Sequence, residues 1–216
     1  MLTATIATLA LFAPQGEKWE IKPTLTREAK TIYSVIADVT IDGGPHTAKF
    51  TMTSTVGDKD SDGNYGLKIA WDKITVDDGE QPDLPTWELK MDKSGTIQAT
   101  AGNLTDDYRR MLAPLAFSYP DKAVAVGDKW EAKSGKAEQM TFSYEAKSVE
   151  KVKDVDALKI SCKFKEGDKG SRGEQTWWVA KDGKILKFDV NMKDWMMAFS
   201  DNGPMNLDAS FKGSLP

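Results

Sequence analysis

One cysteine and one histidine in 216 residues remove much of the chemistry that a domain of this size could carry. A lone thiol, Cys162, can neither close an intrachain disulfide nor build a cysteine-based zinc site. It alternates with Leu158, Ile160 and Phe164 along a strand-like run, so it is expected to be a buried structural thiol and not a reactive one. His46 follows Pro45 at a turn and is expected to be exposed there. A Ser-His-Asp or Cys-His arrangement needs a supporting context that the neighbouring sequence does not supply. No G-x-S-x-G, no glycine-rich phosphate loop ahead of a helix and no H-E-x-x-H occurs. Asp and Glu are plentiful, at 33, but no pair is singled out, so a carboxylate-based hydrolase stands last among the readings. The chain reads as non-enzymatic.

A dominant charge is missing too. The 29 basic and 33 acidic side chains are interspersed and leave a net charge of −4. No basic stripe is available to neutralise a run of phosphates, which excludes nucleic acid as the main partner. No apolar run is long enough to cross a bilayer as a helix, so the chain is not read as an integral membrane protein. The uncharged stretch Leu2 to Ala13, rich in small residues, makes residues 1–13 a signal-like leader with Ala10 or Ala13 near a cleavage point. The usual positive charge before such a region is absent, and a plain first strand is the alternative. The leader implies a periplasmic or secreted protein.

What the chain does have is aromatic mass and alternation. Seven Trp and eight Phe give large buried areas per residue, enough for a folded core at an apolar fraction of 40%. Gly16-Glu17-Lys18-Trp19-Glu20 returns as Gly127-Asp128-Lys129-Trp130-Glu131. Gly66-Leu67-Lys68-Ile69-Ala70 is echoed by Ala157-Leu158-Lys159-Ile160-Ser161, and the segment from Trp87 to Ile97 by that from Trp177 to Ile185. Three echoes in one order imply two copies of a β-rich unit. The expected organisation is a first repeat over 14–102, a helical linker over 103–126 and a second repeat over 127–216, the two repeats forming one compact unit. The paired tryptophans are expected to pack and pin register more than to bind.

Period-two alternation carries the strand assignments. Tyr33, Val35, Ala37, Val39 and Ile41 form an apolar face against Ile32, Ser34, Ile36, Asp38 and Thr40. After Asp42-Gly43-Gly44-Pro45, a return strand from His46 to Val56 alternates Ala48, Phe50 and Met52 with polar residues. Further strands are expected over 65–76, 87–91, 96–101, 140–149, 158–164, 174–180 and 185–192, with a last hairpin of 195–199 and 205–211. One short helix is expected where Thr105 can cap, Asp106 and Asp107 favour the first turn, and Tyr108, Met111, Leu112 and Leu115 make a stripe. Pro114 limits it. The fold class is therefore all-β with one short helix, a duplicated antiparallel β-meander forming a sandwich or an open or half barrel.

Two motifs bear on ligands. Asp58-Lys59-Asp60-Ser61-Asp62-Gly63-Asn64 has the D-x-D-x-D-G opening of a calcium loop, so Asp58, Asp60 and Asp62 are the candidate metal ligands. The twelfth position is Ile69 and not a bidentate Glu, the flanks are strands, and an ordinary hairpin turn is the expected structure. No other cofactor is implied. Trp195-Met196-Met197-Ala198-Phe199 is apolar on both alternating faces. A strand covered on both sides is expected, and a wall of a ligand site is the alternative. In that alternative Trp178, Trp195, Met196 and Met197 are the candidate ligand-binding residues.

The layout resembles an uncharacterised family of exported bacterial envelope proteins. A leader and a first meander precede a proline-containing linker, Tyr119 to Val126, and a Gly-Asp-x-Trp motif, Gly127-Asp128-Lys129-Trp130, opens the second half. The resemblance implies export and two β-rich halves, and no activity. The expected function is a non-catalytic envelope protein that binds an apolar small molecule or a protein partner. A lipid or lipoprotein carrier with an apolar concavity, similar in idea to half-barrel periplasmic chaperones, is one alternative. A structural β module that docks partners by its edges is another.

Overall fold

Alternation is read out almost literally. In the computed structural model, which describes residues 16–41, 44–102, 104–136, 139–168, 170–198 and 203–216, twelve strands form a single antiparallel sheet. They are β1 Lys30–Ile41, β2 Gly44–Lys59, β3 Tyr65–Val76, β4 Gly79–Glu80, β5 Leu84–Met91, β6 Ile97–Thr100, β7 Lys129–Ser134, β8 Met140–Val152, β9 Val155–Glu166, β10 Arg172–Ala180, β11 Ile185–Met197 and β12 Met205–Ser214. Helix α1, Asp106–Leu112, runs into a 3₁₀ turn, Ala113–Leu115. The leader-like residues 1–13, Phe199 and the turn residues 42–43 and 200–202 lie outside the described residues.

The sheet runs β6-β5-β3-β2-β1-β12-β11-β10-β9-β8-β7, with β4 paired to β3. Every neighbour on this path is a chain neighbour except β3 with β5 and the pair β1–β12, where Ser34 opposite Ser214 through Val39 opposite Ala209 joins the two halves of the chain. The fold is thus one sheet curled into a nearly closed barrel, and not a sandwich of two. The remaining gap is closed by side chains: Gln98 Nε2 donates to the Lys133 carbonyl at 3.0 Å, and Ser134 Oγ donates to the Ile97 carbonyl. Side-chain closure ties the two terminal strands, β6 and β7, of four and six residues, to each other.

Strand β11 corrects the expected break at residue 193. It continues from Ile185 to Met197 through a bulge between Met192 and Trp195, where Asp194 has φ 50°. The bulge absorbs the extra residue and keeps Trp195 on the inner face. The expected match between Trp19 and Trp130 does not hold either. Trp130 lies within β7, with β8 alone between it and β9. Trp19 sits outside the strands, in an isolated bridge to Val124, with β1 and β2 between it and β3. Each tryptophan has its own packing role. Trp19 is buried. Trp130 stacks on Tyr144 with centroids 5.1 Å apart and donates to the Ser118 carbonyl at 3.0 Å. The Gly-Asp-x-Trp motif sets this up: Gly127 takes φ 95°, which glycine adopts without a Cβ clash, and Asp128 accepts from the Ala125 amide at 2.9 Å.

The inside of the barrel holds one aromatic-rich core, and α1 is packed into it. Thr105 has the extended backbone of an N-cap but makes no side-chain cap. The first-turn carboxylates are instead engaged by arginines three residues on. Arg109, fully buried, pairs with Asp106 at 2.7 Å through two nitrogens and donates to Ser134, while the missing Cβ of Gly135 leaves room for its guanidinium. Arg110 reaches Glu166, which is 2% exposed, at 2.6 and 2.9 Å. Two arginines on consecutive positions therefore pin the helix to β7 on one side and β9 on the other. Cys162 is buried among this core, and burial pushes its thiol well above the usual range, so the structural role expected of it holds.

Replacing Arg110 with alanine strands the buried Glu166 carboxylate. Urea denaturation is expected to show a loss of about 3–5 kcal/mol, with most of it restored in Arg110→Met/Glu166→Leu, where no charge is left behind. A single variant as stable as the parent would mean that the pair does not hold α1.

Candidate functional site

Period two puts Tyr33, Val35 and Ala37 on the inner face of β1, and the hairpin register places Ala48 and Phe50 of β2 beside them. The strands narrow round two unequal voids. Where β1, β2's return end, β3, β5 and β11 begin or finish near Tyr33, Val56, Leu67, Met91 and Ile185, a void of about 170 Å³ lies under segments 23–24 and 115–119. At the opposite strand ends a cavity of about 300 Å³ opens between Val39, Ile41, Ala48, Phe50, Trp71, Ile74, Leu84, Trp195, Met197 and Phe211. Leu112 of α1 touches both. The helix thus divides the interior.

The larger of these two interior voids presents no polar surface. Phe50 and Trp71, tilted rings 4.9 Å apart, form part of its wall, and behind them Trp71 meets Trp87 at 5.4 Å, which meets Tyr108 of α1 edge-on at a further 5.4 Å. Among the described residues the buried Trp71 Nε1 has no hydrogen-bond partner, a cost of about 1–3 kcal/mol that a polar neighbour in this wall would remove. Trp195 is held differently: it donates to the Met111 carbonyl at 2.9 Å and meets Phe211 edge-on at 5.1 Å. Three depressions elsewhere are larger, at about 730, 490 and 310 Å³, but charged and polar side chains make up most of their linings.

Of the four residues that the sequence offers for an apolar ligand, the structure brings two to the cavity. Trp195 and Met197 line it; Met196 and Trp178 do not. Alternation is the reason. Trp177 points inward against Phe117 and Phe188, so its neighbour Trp178 lies on the outer face of β10. There Trp178 is only 8% exposed, because Lys187 and Lys159 lie over its ring at 4.2 and 5.6 Å and it donates to Glu150 at 3.0 Å. Lysine stems cover the ring while their charges reach water. The apolar run of β11 is therefore a cavity wall on one face and is not core on both.

His46 has the exposed side chain expected of it, at 39%, and adds a partner and a place in β2. In phase with Ala48 and Phe50, it is on the inner face of β2, at the rim of the cavity, and its Nδ1 is 2.7 Å from Asp77 Oδ2. The phase was legible in the strand; the partner, 31 positions away in a turn, was not.

The candidate metal residues serve a turn. Asp60 Oδ1 accepts from the amides of Asp62 and Asn64 at 3.0 and 2.9 Å, and its other oxygen pairs with Lys90 at 2.9 Å. The Lys90 ammonium, then the Asn64 amide, hold the Asp60 carboxyl below its usual range. Asp58 pairs with Arg27 at 3.2 Å. Among the described residues no group of three or more His, Cys, Asp or Glu is placed to hold a metal ion.

No family model matches the chain, and no curated protein matches it. Among solved structures it is similar to a Bacteroides fragilis NCTC 9343 protein named for export and a YmcC-like fold, with 10% identity over 88% of this chain and 96% of that one and a TM-score of 0.35. It is also similar to a DUF1329 family protein from Desulfovibrio piger ATCC 29098, with 13% identity, coverages of 88% and 85% and a TM-score of 0.25. A third likeness is to a Vibrio parahaemolyticus domain named for outer membrane lipoprotein sorting, with 10% identity, coverages of 87% and 83% and a TM-score of 0.24. Likenesses this loose carry no argument about function. Among the described residues no helix is long and apolar enough to cross a membrane.

Two measurements check these assignments. The Trp178 indole, then Lys159, hold the Glu150 carboxyl down from 4.5 to about 2. A lowered folded-state value stabilises the fold above pH 4.5 and ceases to do so as the pH falls toward 2. The melting temperature of Glu150→Gln should therefore lie below that of the parent at neutral pH and converge with it across that window; a gap independent of pH would contradict the assignment. Millimolar calcium should leave the melting temperature unchanged, because Asp60 has no free oxygen pair to offer, whereas a saturable rise abolished by Asp60→Ala would reinstate the metal site.

Proposed function

We propose that this chain is a non-catalytic binding protein that carries a small apolar molecule in the cavity beside α1. The observation that carries the reading is a cavity of about 300 Å³, walled by apolar and aromatic side chains with no polar surface, at the open strand ends of a nearly closed barrel. That volume sits at the low end of the roughly 300–1,000 Å³ typical of small-molecule sites, which suits one small or single-chain ligand. Burial of the ligand's own apolar surface supplies the driving force, at about 25 cal/mol per Å² removed from water. Short, mutually tied edges favour this over docking by strand addition. A periplasmic or extracellular location belongs to the same reading and is supported by the leader-like residues 1–13. The lipid or lipoprotein carrier is its more specific form.

A charge in the wall discriminates. Met197 is half-buried at the cavity, so a carboxylate there can turn to water without unfolding the barrel. Titration with the uncharged dye N-phenyl-1-naphthylamine should give saturable binding to the parent and to Trp178→Ala, and none to a folded Met197→Glu. Equal binding by parent and Met197→Glu, or loss in Trp178→Ala alone, would move the site elsewhere.

A further inference from the structure

We propose that His46, held by Asp77, is the polar recognition point at the mouth of the cavity, and that the ligand is a single-chain amphiphile whose uncharged polar end donates a hydrogen bond, a long-chain alcohol in its simplest form. The inference rests on the carrier reading above.

His46 is the one titratable side chain among the residues that line the cavity. The wall nevertheless presents no polar surface, so the imidazole contributes carbon to it and keeps its nitrogens at the rim. A ligand that obeys this division puts a hydrocarbon chain inside and its polar atom at the mouth.

The chemistry of the rim narrows that polar atom. Asp77 Oδ1 accepts from the Thr47 amide at 2.9 Å, and Oδ2 is 2.7 Å from His46 Nδ1. The Thr47 amide, then His46, hold the Asp77 carboxyl below its usual range, so it is ionised and can only accept. Nδ1 therefore carries the proton, and in that tautomer Nε2 is the acceptor. Among the charged groups near this turn, Asp78 follows Asp77 and pairs with Lys49 of β2 at 2.9 Å, Asp38 of β1 accepts from Thr47 Oγ1 at 2.9 Å, and Glu80 follows on β4. Four carboxylates against one lysine oppose an anionic head, and an acceptor nitrogen selects a donor.

Competition against N-phenyl-1-naphthylamine with dodecanol, dodecyl methyl ether and dodecanoate tests this on the full chain. The alcohol should bind roughly threefold to tenfold more tightly than the ether, which has the chain and the oxygen but no proton to give. His46→Ala should abolish that preference, so that alcohol and ether compete equally, and saturable binding of the dye to the variant shows the cavity intact. Equal affinities for alcohol and ether, or dodecanoate binding more tightly than the alcohol, overturn the inference and leave the carrier standing. Failure of all three to displace a bound dye overturns both.

Discussion

The last carbonyls of a helix have no partner within it, and α1 ends inside a barrel where water does not satisfy them. The barrel does so instead. Trp195 donates to the Met111 carbonyl at 2.9 Å, and Gln175, itself bonded to Trp177, donates to the Pro114 carbonyl at 2.7 Å. A buried carbonyl left unpaired costs about 1–3 kcal/mol, so these two donors decide where the helix can stop. Arg109 and Arg110 decide how it is turned, by hydrogen bonds to Ser134 of β7 and an ion pair to Glu166 of β9. With its end and its azimuth fixed, α1 places Leu112 across the interior, and the cavity is what remains on one side.

The same constraint explains why β11 is long and bulged. Trp195 must face inward to meet α1, and a regular continuation of the inward series Phe188, Val190 and Met192 would carry it out of phase; the irregularity between Met192 and Trp195 restores it. The bulge also separates Met197, on the wall, from Met196, outside it. Structure and candidate binding surface are therefore set by one device. An apolar wall is cheap to build opposite a helix whose polar groups have already been paired.

Most strands were legible because alternation is local: β3 occupies 65–76 as expected and others differ by a few residues at their ends, whereas β4 and β7 had no expected counterpart and β11 runs on through the expected break. The helix was legible from Asp106, Asp107 and the Met111–Leu112 stripe. Closure was not. Pairing of Ser34 with Ser214, or Gln98 with Lys133, joins residues with no shared pattern, and a curled single sheet alternates just as a sandwich does. Trp195 and Met197 could be found because an apolar run is visible in a window of five residues. Trp178 was grouped with them by composition, although its neighbour Trp177 already occupied the inner face. Phe50, Trp71 and His46 went unremarked as site residues, since each looks like an ordinary strand position until three strands are brought side by side.

The central claim is that the space beside α1 receives the hydrocarbon part of a ligand. A crystal structure with 1-bromododecane, located by the anomalous signal of bromine, tests it most directly. The account expects bromine inside the barrel, among Phe50, Trp71 and Met197. Bromine on the outer face near Trp178, or in the charged depressions, with the interior unchanged, would contradict it.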